Sequence, residues 1–206
     1  MGSSSPPADP EGDEAWVVHQ VRPRFLPVVG GVGIGDDAAV LPLGNVVTVD
    51  TMVEGVHWDA RLSAADVGWK LVAVNVSDVG AMGGRPTWAT LALTVPRPLN
   101  RAWVLGFLDG LEQGLVAYGV RLVGGDTTRG SARVVSLTVG GTVARPVLRT
   151  GARHGDALWV TGELGRSAAA FLRSEPPPEA LAWFRRPAPP VAFGEALAAA
   201  GLPSAM

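Results

Sequence analysis

The sequence predicts an α+β fold: a strand-rich N-terminal domain with flanking helices, followed by an incomplete α/β C-terminal domain. Short β-branched stretches bounded by glycine, proline or aspartate predict strands. Two longer stretches carry apolar residues at helical spacing and predict helices between the strands. After residue 149 the composition changes, and further helices are predicted around a proline-rich loop. We therefore divide the chain into a disordered lead-in over residues 1–15, an N-terminal domain over 16–148 and the start of a C-terminal domain over 149–206.

The elements follow one another along the chain with recognisable boundaries. The predicted strands span residues 45–50, 88–95, 121–125, 134–143 and 157–161, and the predicted helices span 67–82, 100–119 and 165–173, with further helix ending near 201. Ser63 and Asp66 resemble a capping box at the start of the first helix. Asn100 is placed to cap the second helix, and Gly119 to end it. Glycines at 140 and 141 predict a bulge in the fourth strand.

Composition and charge exclude several classes of protein. The net charge of −2 gives no basic field for binding nucleic acid or an anionic membrane. No apolar run approaches the roughly 20 residues that cross a bilayer, and residues 1–14 lack the features of a secretory signal. The chain has no cysteine, which excludes disulfides and thiolate metal sites and fits a cytoplasmic protein.

Four aspartates share a local context that suits a metal site. Asp37 follows a glycine-rich turn over residues 30–35, Asp50 ends the predicted strand 45–50, Asp78 lies near the end of the first helix, and Asp126 is expected in a turn after Gly125. Small or hydroxyl neighbours let a ligand approach such carboxylates, and hard oxygen donors suit Mg²⁺. Aspartates are also common at surfaces and in turns, so their spacing alone leaves that reading open.

Known phosphate-binding motifs with a lysine clamp are missing. A P-loop needs lysine after glycine, but Lys70, the only lysine, follows Trp69. Protein-kinase signatures are also absent. Residues 33–38 match a dinucleotide fingerprint only superficially, because Asp36 and Asp37 occupy the turn and Pro42 precedes any helix. Any ATP chemistry here would depend on metal ions.

Five ordered segments resemble one enzyme family. They are Gly33–Ala39 (GIGDDAA), Val49–His57 (VDTMVEGVH), Asn75–Gly83 (NVSDVGAMG), Gly124–Arg129 (GGDTTR) and Leu148–Asp156 (LRTGARHGD). In order and spacing, these segments resemble thiamine-monophosphate kinases. The first four also resemble the wider superfamily that contains aminoimidazole-ribonucleotide synthetase, selenophosphate synthetase and hydrogenase-maturation proteins.

The resemblance implies a role for each matching residue. It implies that several Mg²⁺ ions are bound by Asp37, Thr48, Val49, Asp50, Asp78 and Asp126, with Val49 contributing only its backbone carbonyl. It implies that ATP is contacted by Gly125, Asp126 and Arg149, and thiamine monophosphate by His57. No side chain is expected to act as a covalent nucleophile. On the residues alone, His57 also fits an exposed loop histidine, and Arg149 fits a surface ion pair with Asp156.

The resemblance further implies phosphorylation of thiamine monophosphate to thiamine diphosphate by ATP, in a homodimer whose N-terminal domains join their sheets. In the family, an Ile-Ser-Asp-Gly motif with further metal and nucleotide contacts would follow Met206, so the resemblance implies that the chain is truncated. Two alternatives stay open: another ATP-dependent synthetase of the same superfamily, and a catalytically inactive dimerisation fragment.

Overall fold

A computed structural model describes residues 13–24 and 27–206. Its helices are α1 (Asp13–Val21), α2 (Ala64–Ala81), α3 (Arg101–Ala117), α4 (Arg166–Leu172), α5 (Pro178–Arg185) and α6 (Val191–Ala200). Its strands are β1 (Ala39–Leu41), β2 (Asn45–Val53), β3 (Arg85–Val95), β4 (Arg121–Arg129) and β5 (Val134–Thr142). Helix α1 begins before the predicted domain start at residue 16, and residues 1–12 of the lead-in expected over 1–15 lie outside the described residues.

The five strands form one sheet in the order β1-β2-β5-β3-β4. The β3–β4 pair is parallel and the other pairs are antiparallel. Helices α2 and α3 pack together and cover one face, where Leu71, Phe107 and Leu137 are almost completely buried. This arrangement confirms the α+β class.

Local capping signals in the sequence correctly mark the starts of both long helices. The Ser63 side chain accepts a hydrogen bond from the amide of Asp66, whose carboxylate accepts one from the amide of Ser63, which completes the capping box. Asn100 accepts a hydrogen bond from the amide of Trp103 at the start of α3. In the part of the chain that the structure describes, no helix is long and apolar enough to cross a membrane.

Strand lengths differ from the predictions because a partner strand extends them. β2 continues past Asp50 to Val53, since each of its residues pairs with one on β5. β4 continues to Arg129 beside β3, so the predicted turn at Asp126 is wrong. The irregularity expected at Gly140 and Gly141 lies opposite them, between Pro86 and Trp88 on β3. A side chain at Gly140 would lie 2.1 Å from the Trp88 ring, which explains the glycine.

The predicted strand at 157–161 is wrong. That segment has no strand structure, and the side chains of Leu158 and Trp159 are 98% and 91% exposed. A strand needs a neighbour for its backbone hydrogen bonds, and the sheet of the described residues contains no strand beyond Thr142. The helices predicted near 165–173 and before Gly201 are found as α4 to α6.

Arginine and tryptophan side chains attach α4 and the segment after α5 to the N-terminal domain. Arg61 donates to the carbonyls of Ala170 and Phe171, at 2.9 and 3.2 Å, near the end of α4. The Trp69 indole donates to the carbonyl of Pro187 at 2.8 Å. Arg186 donates to the Asp66 carboxylate at 3.0 Å. These contacts hold the C-terminal helices against α2.

Candidate functional site

β2 and α2 together position three oxygen-bearing side chains. The Thr48 hydroxyl donates to an Asp78 carboxylate oxygen at 2.9 Å and lies 3.3 Å from the carbonyl oxygen of Asp37. Thr48 and Asp50 are two apart on β2, so both face α2, whereas Val49 faces the other side and is 59% exposed. The structure therefore brings together four of the residues singled out in the sequence.

A buried asparagine on α2 holds this part of β2 in place. The Asn75 side chain is fully buried and accepts a hydrogen bond from the amide of Asp50 at 2.9 Å. Its amide group donates to the carbonyl of Leu71 at 2.9 Å. Both its oxygen and its nitrogen are used, so Asn75 ties the strand that carries Thr48 and Asp50 to the helix that carries Asp78.

Replacing Asn75 by alanine should lower the free energy of unfolding by about 1–3 kcal/mol, because the amide of Asp50 loses its partner in a partly buried position. Urea unfolding followed by tryptophan fluorescence measures this. Asn45→Ala is the matched control: its exposed side chain donates to the carbonyl of Pro42, and its loss should cost under about 0.5 kcal/mol. Equal effects of the two substitutions would contradict the role given to Asn75.

Arg149 joins the site from the segment after β5. Its guanidinium pairs with the Asp37 carboxylate and lies 3.6 Å from that of Asp36. Asp36 also accepts a hydrogen bond from the amide of Asp37 at 3.0 Å. The surface pair between Arg149 and Asp156 is therefore not formed; Asp156 instead bonds to Ser204.

The carboxylates are close enough to affect one another's ionisation. Burial, and then the neighbouring charges of Asp50 and Asp37, raise the pKa of Asp78 to about 6, against the opposing hydrogen bond from Thr48. At neutral pH, Asp78 is therefore a carboxylate held against a free-energy cost. A cation placed among these oxygens would relieve that cost.

One cavity of about 1260 Å³ is lined by the polar side chains of this site, namely Asp36, Asp37, Thr48, Asp50, Asp78 and Arg149. Its wall also includes His19 and Arg22, which the sequence reasoning missed. The Arg22 guanidinium lies so close to Gly35 that a side chain there would be 3.4 Å from it. Nothing near α1 matches a known motif, so only the fold places these two basic residues beside the aspartates.

Gly125 and Asp126 lie on β4, away from the other candidate ligands. Asp126 pairs with Ala92, Ala92 with Ser136, and Ser136 with Thr51. Three strand spacings, about 14 Å, therefore separate Asp126 from β2. Because Thr51 faces away from α2, Asp126 lies on the opposite face of the sheet from Asp50. Within one chain, Asp126 does not join the other aspartates.

His57 lies in the turn after β2 and is exposed. Its Nδ1 accepts a hydrogen bond from the amide of Val53 at 3.0 Å. His57 is not among the residues that line the cavity. Its exposed imidazole can therefore contact a ligand only outside that cavity.

The chemistry of the donors fits Mg²⁺, which the resemblance implies. The site offers carboxylate, hydroxyl and carbonyl oxygens and no nitrogen or sulfur ligand among Asp37, Thr48, Asp50 and Asp78. Within residues 13–24 and 27–206, no three His, Asp or Glu side chains already converge closely enough to hold one ion. The donors are thus of the right kind, while Asp37 is paired with Arg149.

Comparisons with known proteins agree with this fold. The family model "AIR synthase related protein, N-terminal domain" matches residues 35–144, more than half of the chain. The thiamine-monophosphate kinase of Buchnera aphidicola (subsp. Acyrthosiphon pisum) is 44% identical over 146 residues, which are 68% of this chain and 45% of that protein. The thiamine-monophosphate kinase of Methanopyrus kandleri is 42% identical over 176 residues, which are 83% and 56% of the two chains.

A solved structure, "AaThiL complexed with AMPPCP and TMP", superposes with a TM-score of 0.81 at 30% identity, over 95% of this chain and 65% of that one. The chain spans about half the length of the curated relatives described above. The matched residues 35–144 contain every aspartate singled out above as a metal ligand. The chain therefore belongs to the AIR synthase related family, and the relatives it resembles within that family are thiamine-monophosphate kinases.

Proposed function

We propose that this chain carries the ATP- and Mg²⁺-binding part of a thiamine-monophosphate kinase. The reaction is transfer of the γ-phosphoryl group of ATP to the phosphate of thiamine monophosphate, which gives thiamine diphosphate and ADP. One observation carries the proposal: the cavity with Asp37, Thr48, Asp78 and Arg149 lies in a fold that superposes on a structure described as complexed with AMPPCP and TMP.

In this proposal, the oxygen donors and the arginine have different tasks. Asp37, Thr48, Asp50 and Asp78, with the carbonyl of Val49, would hold the Mg²⁺ ions. Arg149 would bind nucleotide phosphates, since a planar guanidinium makes paired hydrogen bonds to phosphate oxygens. His57 would contact thiamine monophosphate from outside the cavity. Bound Mg²⁺ would supply neutralisation of the phosphate charge.

The acceptor explains why no general base is needed. Its attacking atom is an oxygen of a phosphate that is already anionic, so no proton has to be removed. Direct in-line transfer then depends on alignment of the two phosphates and on compensation of their charges. A site rich in aspartate, whose cavity wall contains a single histidine, His19, is consistent with that requirement.

A coupled assay for thiamine diphosphate formed from ATP, Mg²⁺ and thiamine monophosphate tests the proposal. Calorimetric titration with ATP and Mg²⁺ tests nucleotide binding apart from turnover. Product formation would reject the inactive-fragment alternative. Nucleotide binding with an amide-activating reaction in place of phosphorylation would favour a synthetase of the same superfamily. A chain that binds no ATP in the presence of Mg²⁺ would refute the proposal.

We also propose a homodimer, in which Asp126 serves the site of the partner subunit. The whole of β4 is exposed, and its outer edge has no strand partner among the described residues. The sheet face away from α2 is also uncovered at Val49 and Trp88. Pairing these surfaces between two copies would bring Gly125 and Asp126 of one copy towards the aspartates of the other.

Mixing two defective variants tests this arrangement. Asp78→Asn and Asp126→Asn should each abolish ATP binding when alone. If the site is shared between subunits, a mixed dimer contains one intact site and one doubly altered site. Random mixing should then restore about a quarter of the binding sites. Titration calorimetry measures the restored fraction, and no restoration in a mixture shown to exchange subunits would contradict a shared site.

The reaction consumes ATP, so we propose that it takes place in the cytoplasm. The net charge of −2 supports neither a nucleic-acid partner nor an anionic membrane surface. The proposed partners are therefore ATP, thiamine monophosphate and a second copy of the chain.

A further inference from the structure

The Asp36–Asp37 turn is held by both the backbone and the side chain of Arg149. The guanidinium pairs with Asp37, and its Nε lies 3.6 Å from Asp36. The Arg149 amide lies 3.5 Å from the same Asp36 oxygen. The Asp36 side chain is only 6% exposed, whereas that of Arg149 is 51% exposed. The acid is therefore fixed in place, and the arginine approaches it from solvent.

The backbone around Arg149 is anchored separately from its side chain. Two residues earlier, the amide of Val147 donates to the carbonyl of Met82 at 3.2 Å. Two residues later, the amide of Gly151 donates to the carbonyl of Leu148 at 3.4 Å. Because these contacts fix the main chain, the half-exposed guanidinium can leave Asp37 by rotation of its own side chain.

The charge balance of the cavity explains why an arginine lies there. Asp37, Asp50 and Asp78 are close enough that the first two raise the pKa of the third. An arginine beside them reduces their repulsion when no other cation is present. The same positive charge repels a divalent cation that approaches Asp37. The Arg149 side chain therefore stabilises the aspartate cluster and opposes the binding of a metal ion to it.

We propose that Arg149 is an internal counter-ion, which competes with Mg²⁺ for Asp37 and turns towards phosphate when the metal binds. Asp36 positions it by holding its amide and Nε. The inference rests on the proposed function only for the identity of the ligands, since the competition itself is measured without turnover. It links the two halves of the site: metal binding releases the guanidinium that nucleotide binding uses.

The competition predicts opposite effects on two ligands. Arg149→Gln should bind Mg²⁺ alone about tenfold more tightly, because the competing charge is gone. The same variant should bind ATP in the presence of saturating Mg²⁺ about tenfold more weakly, because a charged contact to phosphate is lost. A purely structural role would weaken both. Calorimetric titration of the 206-residue chain measures each affinity.

Two further variants complete the experiment. Arg153→Gln removes the same charge from the same segment, outside the ion pairs with Asp36 and Asp37, and should leave Mg²⁺ affinity within about twofold of the starting value. Arg149→Lys keeps the charge and should also stay within about twofold. Unchanged or weaker Mg²⁺ binding by folded Arg149→Gln would overturn the inference. Tighter binding by the lysine variant would do so too, because charge would then not be the cause.

A failed kinase assay would not affect this result. If the chain forms no thiamine diphosphate but Arg149→Gln still tightens Mg²⁺ binding, the counter-ion role stands and the proposed activity does not. If the assay succeeds and the affinity is unchanged, the activity stands and the counter-ion role is rejected.

Discussion

Asp78→Asn is expected to reduce Mg²⁺-dependent ATP binding and thiamine diphosphate formation by on the order of 10²–10³-fold. The Asp78 carboxylate accepts a hydrogen bond from Thr48 and is repelled by the charges of both Asp37 and Asp50. Asparagine keeps its size and one acceptor oxygen but removes the negative charge that would attract the metal. The coupled assay and titration with ATP at saturating Mg²⁺ measure the loss.

Asp109→Asn is the matched control for this substitution. Asp109 is an exposed acid on α3 and lies outside the cavity. Its replacement should leave both ATP binding and product formation unchanged within about twofold. Near-normal activity of Asp78→Asn would refute the assignment of Asp78 as a metal ligand.

Asp78→Asn should also make the metal-free protein more stable. The pKa of Asp78 rises from 3.8 to about 6 on folding. Between these values the folded state keeps a proton that the unfolded state has lost, so the stability contributed at this site falls as pH rises from about 4 to 6. Asparagine cannot ionise and avoids this loss. Allowing for a side chain that is only half buried, we expect a gain of about 1–2 kcal/mol at pH 7.5.

Urea unfolding without metal, repeated across this pH range, checks the sign. The two proteins should differ least near pH 4 and most above pH 6. Added Mg²⁺ should reverse the order, because it stabilises only the chain that binds it. A wild-type chain as stable as Asp78→Asn at every pH would contradict the electrostatic account of the cluster.

Gly110→Ala is expected to destabilise the fold by about 3 kcal/mol or more. Helices α2 and α3 cross so closely that a side chain at Gly110 would lie 1.8 Å from the Ala65 carbonyl oxygen. Gly68 makes the reciprocal approach, since a side chain there would lie 2.2 Å from the carbonyl oxygen of Phe107. Backbone atoms cannot rotate away, so the helices would have to separate and open the core. Thermal unfolding followed by circular dichroism measures the cost.

Gly106→Ala on the same helix is the control for this packing. Its new side chain would lie 3.3 Å from the Ala64 methyl group, a contact that needs only a small adjustment. Alanine also favours helix over glycine by about 1 kcal/mol. The control should therefore stay within about 1 kcal/mol of the starting stability. Similar losses at both positions would mean that the close helix crossing is not the cause.

Local features of the fold were predictable, and long-range ones were not. The caps at Ser63 and Asn100 depend on residues three positions away, so the sequence displays them directly. The extension of β4 past Asp126 depends on β3, and the failure of the predicted strand at 157–161 depends on a missing neighbour. No local pattern contains that information.

The candidate site shows the same division. Its acids were identified because ordered segments resemble a family, but the pairing of Asp37 with Arg149 spans 112 positions. The contribution of Arg22 from α1 and the separation of Asp126 from the other acids also appear only once the chain is folded. The sequence therefore predicted candidate site residues, and the structure shows which of them lie together and with which partners.

The attachment of helices α4 to α6 has a consequence for unfolding. Arg61, just before α2, and Asp66 and Trp69, in its first two turns, hold residues 170–187 by side-chain hydrogen bonds. Arg185 donates back to the carbonyl of Arg61 at 2.8 Å. The C-terminal helices bury few large side chains of their own, with Phe184 the main one. Because the C-terminal helices depend on contacts with α2 for their stability, they should unfold together with the N-terminal domain in a single cooperative transition.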